Sequence, residues 1–129
     1  MTHRFSLRVF YEDTDMGGIV YHANFLKFIE RARSAWVAEQ GVDQLSMRDE
    51  DGIVFVVTRI EADYLQPARY GEELEIETST VSATGARWVL SQVVTRDGTR
   101  LFDATVSIAC TTLAGQPVRL PLEVRKQLH

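Results

Sequence analysis

The residue types best able to do chemistry in this chain crowd into one short stretch, Asp13-Thr14-Asp15-Met16-Gly17-Gly18-Ile19-Val20-Tyr21-His22-Ala23-Asn24. Two carboxylates one residue apart, with an imidazole nearby, could hold calcium, ligate a transition metal, or act on a carbonyl carbon without metal. The calcium reading is poor at its fifth position, where Gly17 stands, and at its twelfth, where Asn24 replaces the bidentate Glu of an EF-hand loop. Asp13, Asp15 and His22 are acceptable transition-metal ligands by type but lack regular ligand spacing, and no other internal His or Cys stands nearby in sequence. The third reading needs only a carboxylate on a loop that runs into a helix N-terminus. Unpaired N–H groups and the positive end of the helix dipole there would polarise a carbonyl oxygen. Asp15 would then be nucleophile or general base for acyl transfer. Gly17 and Gly18 would let the main chain approach a substrate, although glycines also serve simply to permit positive φ.

The elements that must position this loop follow from periodicity. Phe5, Leu7, Val9 and Tyr11 alternate with Arg4, Ser6 and Arg8, which predicts a first strand ending near Tyr11. After the loop, Asn24 offers an N-cap. Phe25, Phe28, Ile29, Ala32 and Trp36 recur at helical spacing as far as Gly41, a suitable C′ residue, giving one long helix. A polar stretch around 46–51 follows. Strand patterns then dominate: Thr58 to Tyr64, Leu74 to Thr78 and Phe102 to Cys110, with turns at Pro67 and Gly71, at Gly85, and at the hairpin pair Asp97-Gly98. The expected fold is α+β, an antiparallel sheet of about five strands with one long helix laid on its apolar face.

Composition narrows the function. At 129 residues the chain is expected to form one domain over 1–129. Fourteen Lys and Arg against eighteen Asp and Glu give a net charge of −4 without a dense basic run, so nucleic acid is not an expected partner. One cysteine, Cys110, excludes an intrachain disulfide and suits a reducing compartment. The N-terminus lacks the apolar core of a signal peptide, and the longest apolar run, Ile53 to Val57, is too short to span a membrane, so a cytoplasmic protein with no integral membrane segment is expected. His3 and His129 fall near the chain ends and are expected to fray, leaving His22 as the histidine available for chemistry. Serine-hydrolase, Walker and dinucleotide motifs are absent from the sequence.

The stretch from Tyr11 to Leu26, continuing to Glu30-Arg31-Ala32-Arg33, resembles the signature of the hot-dog acyl-CoA thioesterases. The likeness is to the Tol-Pal-associated (YbgC-like) group of the 4-hydroxybenzoyl-CoA thioesterase family, and with Ala68-Arg69-Tyr70-Gly71 after Pro67 it extends over nearly the whole chain. It implies a curved sheet wrapped around the helix, homodimers or homotetramers, and an active site at a subunit interface. The resemblance makes Asp15, not Asp13, the catalytic carboxylate, and implies no cofactor and no metal. The thioester oxygen would be held by N–H groups near Tyr21 to Ala23, with His22 in the site. Gly17, Gly18, Tyr21, Ala23 and Asn24 would contact substrate, while Asp13 would hold the loop through main-chain N–H groups. The implied substrate is a short-chain, medium-chain or aromatic acyl-CoA. Arg59, Arg69, Arg87, Arg96 and Arg100 are candidates for coenzyme A phosphates, since Arg binds phosphate bidentately. Arg87-Trp88 departs from the small polar residues usual after the Gly85 turn. A non-catalytic module binding acyl-CoA or acyl carrier protein, and a hydratase using an Asp/His pair, share the fold and remain alternatives.

Overall fold

The computed structural model describes residues 2–128. Its strands arise where apolar and polar residues alternate. Strand β1 (Thr2–Arg8) pairs with β3 (Glu73–Ala83), β3 with β4 (Trp88–Arg96), β4 with β5 (Thr99–Thr112), and β5 with β2 (Ile53–Tyr64), every pairing antiparallel. The order is β1-β3-β4-β5-β2, and a two-residue strand, β6 (Pro117–Val118), adds to the end of β5. The described residues thus form six strands instead of the five expected. At the Arg96–Thr99 hairpin both Asp97 (φ 49°) and Gly98 (φ 81°) are left-handed, as the Asp-Gly pair demands.

Helix α1 (Asn24–Glu39) buries Phe25, Phe28, Ile29, Ala32, Trp36 and Val37 against the sheet. Each large side chain so buried contributes roughly 1.5–3 kcal/mol. The helix closes in a Schellman motif: Gly41, at φ 87°, donates to Ala38 O (3.0 Å) and Val42 donates to Val37 O (3.2 Å). Beneath its middle, the fully buried Gln92 of β4 donates to Ile29 O (2.9 Å) and Thr78 Oγ1 (3.0 Å) and accepts from Arg33 (2.9 Å). Burial pulls the Arg33 pKa down, and the nearby Glu30 charge partly offsets this.

Several expectations need correction. The first strand stops at Arg8, because the Asp13 carboxylate takes the Phe10 N–H (2.8 Å) and closes a single 3₁₀ turn over Tyr11–Asp13. The polar stretch near residue 46 is helix α2 (Gln44–Asp51), started by Asp43, whose carboxylate accepts from Leu45 N (3.0 Å) and Ser46 N (3.1 Å). The Ser46 N–H and the Ser46 hydroxyl (3.1 Å), with a smaller part from the Leu45 N–H, hold the Asp43 pKa below the ordinary carboxylate range. A third helix, α3 (Leu122–Leu128), follows β6. His3 is not frayed: it lies in β1, stacked on Trp36, with Nε2 2.6 Å from Glu39 Oε2. His129 lies outside the described residues.

Candidate active site

The loop before α1 is held by its own main chain. Asp15 N donates to Ile19 O (2.9 Å) and Gly18 N to Asp15 O (3.0 Å), a tight reversal that Gly18 completes at φ 78°. Isolated bridges Thr14–Val20 and Ile19–Arg69, with Val20 N on Ala68 O (2.8 Å), stitch it to the segment after β2. Asp13 secures the other side. Its buried carboxylate bonds Phe10, while its carbonyl accepts from Tyr21 N (2.9 Å) and from Asn24 Nδ2 (3.0 Å). Asn24 is therefore not the N-cap. Ala23 occupies that position in helical conformation, and the Asn24 side chain ties the helix start back to the loop.

This start leaves particular donors open. Asn24, Phe25 and Leu26 spend their N–H groups on carbonyls three residues back, at 2.8, 3.4 and 3.2 Å, which tightens the first turn. Among the described residues the N–H groups of His22 and Ala23 find no partner in the chain. The unpaired donors of the helix are thus moved back onto the residues beside the loop.

Asp15 and His22 line the same open cavity of about 430 Å³, with Ile19, Phe25, Tyr64 and Pro67 among its walls. One Asp15 oxygen, Oδ1, accepts from Gly17 N (2.9 Å), and Oδ2 has no partner among the described residues. Both side chains are exposed in the single chain. The remaining predicted contacts surround this cavity without lining it. Gly17 and Gly18 shape the Asp15 turn, Tyr21 packs its ring at 4.6 Å from His22, Ala23 caps the helix, and Asn24 anchors it. Asp13, Asp15 and His22 do not converge: no group of three or more His, Cys, Asp or Glu is placed to hold a metal among the described residues.

Tyr64 is the residue that motif reasoning missed. It ends β2, and its hydroxyl donates to the His22 carbonyl at 2.8 Å. Of the arginine candidates, Arg59 pairs with Glu61, Arg96 with Glu72 (2.9 Å) and Arg100 with Asp103 (3.0 Å). Arg69 is exposed and bridged through its backbone to Ile19 in the cavity wall. Trp88 is fully buried, its indole donating to Thr80 Oγ1 (3.1 Å), and Arg87 closes the preceding turn. Cys110 is buried in the core, and desolvation pushes its thiol pKa up to about 11.

A long helix clasped by an antiparallel sheet, with a carboxylate loop leading into its N-terminus, is the architecture of a hot-dog protein. The sequence model of the thioesterase-like superfamily matches residues 9–128, and the chain belongs to that family. It is 38% identical over 126 residues to the acyl-CoA thioesterase YbgC of Haemophilus influenzae, covering 97% of this chain and 93% of that one. The crystal structure of a probable thioesterase from Bartonella henselae superposes with a TM-score of 0.90 at 35% identity, over 94% of this chain and 100% of the other. A 4-hydroxybenzoyl-CoA thioesterase structure superposes at a TM-score of 0.92 and 18% identity, covering 99% of each chain, a likeness of fold. No helix among the described residues is long and apolar enough to cross a membrane.

Proposed function

We propose that this protein hydrolyses acyl-coenzyme A thioesters to a carboxylic acid and free coenzyme A, with Asp15 as the reacting carboxylate. The observation that carries this reading is that Asp15 and His22 share a cavity beside a helix start whose consecutive His22 and Ala23 N–H groups have no partner among the described residues. A thioester carbonyl there would direct its oxygen at the His22 and Ala23 N–H groups, which stabilise the charge that develops in the transition state. Asp15 Oδ2 then either attacks the carbonyl carbon, giving a mixed anhydride that water cleaves, or takes a proton from water that attacks instead. In both routes the carbon–sulfur bond breaks and the thiolate leaves, its proton coming from solvent or His22. The acyl-CoA thioesterase of Haemophilus influenzae, similar along nearly its whole length, supports the same reaction class.

Several finer readings accompany it. Aromatic walls at Phe25 and Tyr64 suit a short, medium or aromatic acyl group. Arg69, beside the cavity wall, is the arginine best placed for a coenzyme A phosphate. A second copy of the chain covers the exposed site, in a homodimer or a homotetramer built from such dimers, and a reducing cytoplasm suits the single thiol.

The test is release of free thiol from a panel of aliphatic and aromatic acyl-CoAs, with a metal chelator present throughout. Wild-type turnover should survive chelation and fall by at least ~100-fold in Asp15→Asn, about 2.7 kcal/mol of transition-state stabilisation. Absence of turnover on every member by the folded protein would overturn the reading.

A further inference from the structure

Tyr64 stands 42 residues from His22 in sequence, on a strand rather than in the loop, yet its hydroxyl bonds the His22 carbonyl at 2.8 Å. The ring is held on several sides. It meets Phe25 edge-on (centroids 5.8 Å, 81° between planes) and Phe102 (4.9 Å, 65°), and those two rings stack on each other at 5.0 Å. Its main chain pairs with Phe102 in the sheet. The hydroxyl is thus delivered from a fixed platform. Desolvation raises the phenol pKa, so the group remains a donor through the neutral range.

A peptide unit is planar and trans, so fixing its carbonyl fixes the opposed N–H. The His22–Ala23 unit is fixed in this way by Tyr64. Among the described residues its only other bond is a long one, 3.4 Å, from Phe25 N. The preceding unit, Tyr21–His22, is fixed at its carbonyl by Asn24 N (2.8 Å). The two open donors therefore sit between two anchored carbonyls, one held within the helix and the other held by a side chain from the sheet.

We infer that Tyr64 is a positioning residue: its hydroxyl, through the His22 carbonyl, holds the His22–Ala23 peptide in the orientation that polarises the substrate carbonyl. This rests on the thioesterase reading above, and it adds a residue outside the loop motif. The role predicts a particular kinetic signature, because misdirecting an N–H costs more in the transition state than in the ground state.

Tyr64→Phe keeps the ring cluster and removes only the hydroxyl. Its kcat for the best acyl-CoA should fall about tenfold while KM changes by less than about twofold. A ketone analogue, with CH₂ replacing the thioester sulfur, supplies a second readout that packing alone does not move. Its carbonyl stretching frequency, lowered on binding to wild type, should return toward the solution value in Tyr64→Phe. An unchanged kcat, or a rise in KM alone with a wild-type carbonyl frequency, overturns the inference. If the phenylalanine variant does not fold, Tyr64→Leu is read on the same quantities. Wild-type protein without turnover sinks the thioesterase reading itself, whereas active wild type with an equally active Tyr64→Phe sinks only the role of Tyr64.

Discussion

The two glycines after Asp15 do different work, and substitution separates them. Gly18 is left-handed with open space around its α-carbon, so alanine there meets strain and no clash. Gly17 has ordinary φ, but an added methyl would sit 3.2 Å from Asp15 Oδ1, the oxygen its own N–H binds. Gly18→Ala should therefore cost about 1–2 kcal/mol of stability, measured by urea unfolding. Gly17→Ala should leave stability nearly unchanged and lower kcat roughly tenfold, because small displacements of a reacting group are expensive. Cys110 gives a separate prediction. With its pKa near 11, about one thiol in a thousand is ionised at pH 8, so alkylation should require unfolding. The raised pKa also means that folding gains from the neutral thiol below pH about 9 and loses that gain as pH rises toward 11. Asp15, His22 and the Asp13 anchor were legible because they fall in one stretch with no strand or helix period. Tyr64 was not, since period-two alternation accounts for it as an ordinary strand residue and its partner is a main-chain oxygen from another element.

At the scale of elements, legibility followed apolar periodicity. The buried face of α1 and the Asp-Gly hairpin declare themselves in the sequence. Helix α2 does not, because it buries only Met47 and is started by the Asp43 side chain. Asp43→Ala should lower the melting temperature at pH 7. That difference should shrink as pH falls below about 4, since a depressed carboxylate pKa contributes only above it. The seating of α1 depends on a polar residue in an apolar register position. Gln92 lies between Leu90 and Val94 on the buried side of β4 and joins helix, strand and Arg33 in one network. Gln92→Leu leaves Arg33 without its acceptor and Thr78 without its donor. It should cost about 2–3 kcal/mol in urea unfolding, with Arg33→Met restoring part of the loss in the double variant because the stranded charge is then removed.

At the scale of the whole molecule, the sheet order leaves β2 on an edge, twelve residues long, with Val56, Val57 and Ile60 between 37% and 41% exposed. A long apolar edge is hazardous unless something pairs with it. Tyr64, at the end of that edge, also lines the Asp15 cavity, which stands open in the single chain. Both features are met if a second copy adds its own β2 edge and roofs the cavity, so oligomerisation and catalysis should fail together. Light scattering should give at least a dimer for the wild type. Val57→Lys/Ile60→Lys, which brings two charges to the seam while leaving the loop and α1 untouched, should yield a folded monomer with thiol release at least ~100-fold lower. A monomeric variant that keeps full turnover would show instead that one chain encloses its own thioester and that the β2 edge serves assembly alone.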